Sequence, residues 1–61
     1  FTQDEYLTIA AQWLTVFGVD SAAIAGARAQ ALLWALERGS RSGRVAYQFA
    51  RDFSGRRSEA S

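Results

Sequence analysis

Arg44, Gln48 and Arg51 stand at i, i+4 and i+7, the spacing that sets three side chains on one face of a helix. Arg offers a planar fork that grips phosphate in two places, and Arg and Gln both reach base edges. Tyr47 falls beside them, and Arg38 and Arg41 bracket the segment Gly39-Ser40-Arg41-Ser42-Gly43 just upstream. Ser40 and Ser42 are donors of the kind that meet phosphate oxygens. A polar helix behind a Ser/Gly turn has the form of a helix-turn-helix recognition element, with Arg38, Arg41, Arg44, Gln48 and Arg51 as candidate nucleic-acid contacts. The turn of that motif usually has three or four residues, whereas this loop has about five. A solvated Arg face is the competing explanation.

Catalytic chemistry finds little to work with. The chain has neither His nor Cys, which removes the usual general base, the thiol nucleophile and the common zinc ligand sets. The carboxylates Asp4, Glu5, Asp20, Glu37, Asp52 and Glu59 fall at helix starts or on polar helix positions. Gly39 and Gly43 lack the Gly-Lys-Ser/Thr ending of a phosphate-binding loop. We therefore expect no catalytic, cofactor-binding or metal-ligating residue, and a protein that is not an enzyme.

Charge is unevenly placed: residues 1–20 sum to −3 and residues 21–61 to +4, for a net of +1. An acidic front and basic rear suit an anionic partner, or are ordinary variation in a short chain. All seven cations are Arg, and Ala and Gly are abundant, a composition that fits a GC-rich bacterial genome. The longest uncharged run, Tyr6 to Val19, is too short to span a membrane, which takes about 20 residues. A first residue of Phe instead of Met implies processing or excision from a longer protein, and the lack of Cys favours the cytoplasm.

The elements that position these residues are helical. Thr2, Gln3, Asp4 and Glu5 make a capping box, with Phe1 and Tyr6 as its hydrophobic staple. The first helix then runs over about 3–17, to a stop at Gly18. Asp20 caps a second helix over about 21–38, ending at Gly39. Ser42 caps a third over about 43–53, and 56–61 is expected to be a basic, disordered tail after a helical module over 1–55. The fold class is all-α, a small three-helix bundle. Its expected core is Tyr6, Ile9, Trp13, Phe17, Ile24, Leu32, Leu36, Val45, Phe49 and Phe53.

The second helix carries the most distinctive pattern. Ala23, Ala27, Ala31 and Ala35 recur every fourth residue, a stripe that lets another helix approach closely. Ile24, Leu32, Leu33, Trp34 and Leu36 spread around most of the same helix, more apolar surface than a 61-residue chain can enclose. Leu7 and Leu14 likewise diverge from the main line of the first helix. The leading expectation is thus a protein–protein interaction or dimerisation module with the second helix at its centre. Its contact residues would be Ala23, Ala27, Ala31, Ala35, Leu33, Trp34, Leu7 and Leu14, its partner a second copy or a larger protein. Trp34 shares its side with Gln30, Glu37 and Arg38, so core and interface are both open for it. Nucleic acid is the alternative partner, and a membrane surface is disfavoured because the first two helices carry few cations.

Overall fold

A computed structural model describes residues 2–60, with side chains described for residues 2–56. The described residues form helices and turns without a strand: α1 (Gln3–Val16), α2 (Ser21–Gly26), α3 (Arg28–Arg38) and α4 (Gly43–Ala60). The all-α bundle expected from the sequence is what the chain forms. The three starts expected from the sequence are capped by the expected side chains, whereas α3, which follows Ala27, has no side-chain cap. Thr2 Oγ1 accepts from the Glu5 amide at 3.2 Å while Glu5 Oε1 accepts from the Thr2 amide at 3.0 Å. Asp20 accepts from the Ala23 amide at 2.8 Å, and Ser42 from the Val45 amide at 3.2 Å. Phe1, the other half of the expected staple, lies outside the described residues.

Two helix ends are fixed by glycine in the left-handed region, Gly18 at φ 87° and Gly39 at φ 67°. There the Val19 amide reaches back to the Leu14 carbonyl and the Ser40 amide to the Ala35 carbonyl, at 2.9 and 3.1 Å. Those bonds satisfy carbonyls that the helix itself leaves unpaired.

Two boundaries differ from expectation. The helix expected over 21–38 is divided at Ala27, whose ψ of −7° departs from helical values and whose amide is shared between the Ala23 and Ile24 carbonyls. Gly26 precedes the break, and Gly is the weakest helix former after Pro. The helix expected to end near Phe53 instead continues to Ala60. A glycine ends a helix by turning left-handed, and only Gly18 and Gly39 do so here; Gly55 stays helical, bridged by an Asp52–Arg56 ion pair of 3.0 Å. Of the tail expected over 56–61, the backbone is described to Ala60 and the side chain of Arg56 alone.

The core is built of small residues more than of large ones. Ala10, Ala27, Ala31, Ala35, Ala46 and Ala50 are buried together with Tyr6, Leu7, Leu14, Val19, Val45 and Phe49. Small side chains thus fill much of the interior between α1, α3 and α4, with Tyr6 and Leu14 as its largest buried side chains. Ile9, Phe17, Ile24, Leu32, Trp34 and Phe53 are only partly buried around this centre. Two residues expected in the core lie outside it: Trp13 at 37% exposure and Leu36 at 77%. Leu7 and Leu14, expected to remain open for a partner, are instead buried. Expectation placed the line Tyr6–Trp13–Phe17 inward, but α1 is rotated so that Tyr6, Leu7, Ala10 and Leu14 face the bundle.

Tyr6 ties two elements together. Its side chain is fully buried and its hydroxyl donates to the Ala31 carbonyl at 2.6 Å, joining α1 to α3. Burial pushes the phenol above its ordinary pKa, and the Arg38 charge acts in the opposite direction.

Candidate interaction surfaces

Helix α3 divides its apolar residues between opposite sides. Ala27, Ala31 and Ala35 face inward, each at 2% exposure or less. Ala29, Leu32, Leu33 and Leu36 fall within an arc of about 100° on the other side. Leu33 is 55% exposed and Leu36 77%, and Ala29 is also exposed. The alanine stripe from Ala27 to Ala35 is buried against helices of this chain. Of the residues expected to meet a partner, Ala27, Ala31, Ala35, Leu7 and Leu14 are enclosed, Ala23 is half-buried, and only Leu33 stands open. Two open residues escaped that expectation: Leu36 was expected in the core on size, and Ala29 carried no signal apart from its phase on the helix. Leu32, also expected in the core, is partly buried against it.

Trp34 sits between these sides, half-buried. Its ring meets Phe49 edge-on at 5.8 Å, and the Arg38 guanidinium lies over it at 3.5 Å from the ring centre. That geometry is a cation–π contact. Arg38 also approaches the Trp34 carbonyl at 3.4 Å and Glu37 at 4.0 Å. Arg38 therefore covers an aromatic ring of its own helix and does not join the arginines of α4. The Trp34 indole N–H is buried without an acceptor among the described residues.

On α4 the expected grouping forms in part. Arg44, Gln48 and Arg51 share the outward side and line an open groove of about 700 Å³ with Tyr47, Asp52 and Arg56. Asp52 is engaged by Arg56 at 3.0 Å, whereas neither Arg44 nor Arg51 forms an ion pair among the described residues. Arg41 is apart from them, lining a different hollow with Gln3, Leu36 and Ser40. The turn between α3 and α4 comprises residues 39–42, one shorter than expected.

The aromatic group beside this groove was not among the expected sites. Tyr47 meets Trp13 edge-on at 4.7 Å, and Trp13 stacks on Phe17 at 5.9 Å with 25° between the planes. This cluster joins α1 to the flank of α4 and leaves Trp13 partly in solvent. Its signal was confined to tertiary structure, because Trp13 and Tyr47 lie far apart in the chain.

Among the described residues no three acidic side chains gather where they could hold a metal ion, and no helix is long and apolar enough to cross a membrane. No curated protein and no solved structure matches the chain. A family model does match, over residues 1–57. A helical module with an apolar outer face on α3 and a basic one on α4 thus belongs to the family described as protein of unknown function DUF815.

Proposed function

We propose that this chain is a non-catalytic protein–protein interaction module that docks through the outward face of α3. The observation that carries the reading is the outward arc of Ala29, Leu32, Leu33 and Leu36, in which Leu32 is partly buried while Leu33 is 55% exposed and Leu36 77%. Large apolar side chains left contiguous in water favour burial against another surface. The arc is also self-complementary. In an antiparallel pairing about a two-fold axis between Leu32 and Leu33, Leu36 of one copy falls opposite Ala29 of the other. A large side chain meets a small one at both ends, as a two-fold contact requires. The occupant we favour is therefore a second copy. Eleven residues of α3 make a helix about 16 Å long, so the contact is at the small end of specific interfaces and association should be micromolar.

Sedimentation equilibrium tests this directly. The protein should reach a monomer–dimer equilibrium in the micromolar range, and Leu33→Glu with Leu36→Glu should hold it monomeric with unchanged helicity. A parent protein that stays monomeric to high micromolar concentration would remove the second copy as occupant.

A further inference from the structure

Independently of the α3 face, we propose that the outward side of α4 and the adjoining Trp13–Tyr47 edge bind single-stranded nucleic acid. Arg44 and Arg51 would hold phosphates and the aromatic edge would stack bases. Three observations converge on this face. Arg44 and Arg51 are exposed and take no part in the ion pairs among the described residues, so their guanidinium donors are free for an anion. Seven residues of helix separate them by about 10 Å along the axis. That length corresponds to about three stacked nucleotides of one strand. Gln48 lies between them in the same groove, a donor and acceptor for a base edge.

The third observation selects the kind of nucleic acid. Tyr47 is both a wall of the groove and the edge-on neighbour of Trp13 at 4.7 Å, and Trp13 keeps 37% of its surface in water. Single-strand binders combine a positive groove with aromatic rings on which unpaired bases stack. A duplex has its bases stacked internally and cannot use that edge. Two unpaired arginines also give a small electrostatic term, too little to hold a duplex by backbone charge alone. Asp52 borders the groove, but its carboxylate is occupied by Arg56.

The test is fluorescence anisotropy of labelled oligo(dT) against the intact protein, with matched duplex and inorganic polyphosphate as competitors. Binding should weaken with salt at a log–log slope of about −1.4, as expected for two phosphates on a single strand. Arg44→Ala and Arg51→Ala should each reduce that slope by about half. Trp13→Leu should weaken oligo(dT) binding between about fivefold and a hundredfold, the range for one lost stacking contact. Polyphosphate binding should not change with Trp13→Leu. The arginine variants are at exposed positions and keep the proposal falsifiable even where Trp13→Leu does not fold. No anisotropy change at the lowest salt would overturn the proposal. So would equal binding by folded Trp13→Leu, duplex competing better than single strand, or polyphosphate competing as well as oligo(dT).

Discussion

The two sides of α3 reverse the usual assignment of size to depth. Inward it presents Ala27, Ala31 and Ala35, and outward it presents Leu33 and Leu36. Burying a leucine in place of an alanine removes more apolar surface from water, so the inner side gives up hydrophobic energy. What it gains is room: the small side chains of α3 leave space for Tyr6 of α1 to pack inward and reach the Ala31 carbonyl. The outer side keeps most of Leu36 and about half of Leu33 in water, where they contribute little to the monomer. On the proposed function, the two apolar faces of this helix have separate purposes, one for closure of the fold and one for contact beyond it. Depth, not hydrophobicity, tells them apart.

The largest expected effect follows from the inner side. Ala31→Leu places added bulk where Ala31 is 2% exposed, and overpacking of that kind costs about 1–3 kcal/mol. In a domain of this size each kcal/mol moves the melting temperature by about 4–8 °C. Thermal melts followed by circular dichroism should show that loss. If Ala31→Leu melts like the parent, packing on the small side chains of α3 is not what holds the bundle together.

A smaller effect is expected at the bond that those small side chains permit. Tyr6→Phe removes the donor to the Ala31 carbonyl and should cost about 0.5–1.5 kcal/mol. It should also remove a pH dependence. The Tyr6 phenol is held above its unfolded value by burial, so its contribution is complete below the unfolded value of about 10. That contribution is lost as pH rises through the folded value. The parent should therefore lose stability on the alkaline side more steeply than Tyr6→Phe. Parallel alkaline melts of the two proteins would contradict this account of Tyr6.

Local signals in the sequence were legible where the chemistry is local. Thr2 with Glu5, Asp20 and Ser42 marked helix starts because an N-cap needs only an oxygen within three residues. Gly18 and Gly39 marked stops for a similarly local reason. Gly55 misled, because a glycine also tolerates a helical backbone where Asp52 and Arg56 pair across it. Core membership was legible only in part: Tyr6, Val45 and Phe49 are buried as expected, but side-chain size is a poor guide to depth elsewhere. Trp13 and Leu36 are large and lie outside, while Ala46 and Ala50 are small and fully buried. Among the basic residues, helical spacing correctly grouped Arg44, Gln48 and Arg51. It could not reveal that Arg38 turns back over Trp34, because a cation–π contact competes with every other use of that side chain. The sequence also could not show that Trp13 reaches Tyr47, which only the packing of α1 on α4 decides.

The smallest expected effect on the monomer is on the outer side of α3. Leu36 is 77% exposed, so Leu36→Gln loses little burial, and Gln is nearly as good a helix former as Leu. At low concentration its stability should stay within about 0.5 kcal/mol of the parent, as for most surface changes. Concentration then separates the two roles of the helix. A partner that binds only the folded chain raises the melting temperature by mass action, so the parent should melt higher as protein concentration increases. Leu36→Gln should melt at one temperature throughout, while Ala31→Leu, if it still folds, should keep the parent's concentration dependence from a lower starting point. A Leu36→Gln protein already as unstable as Ala31→Leu at low concentration would mean that the outer leucine supports the monomer. The two faces would then not be separate in purpose, and the outer arc would lose its claim as a docking surface.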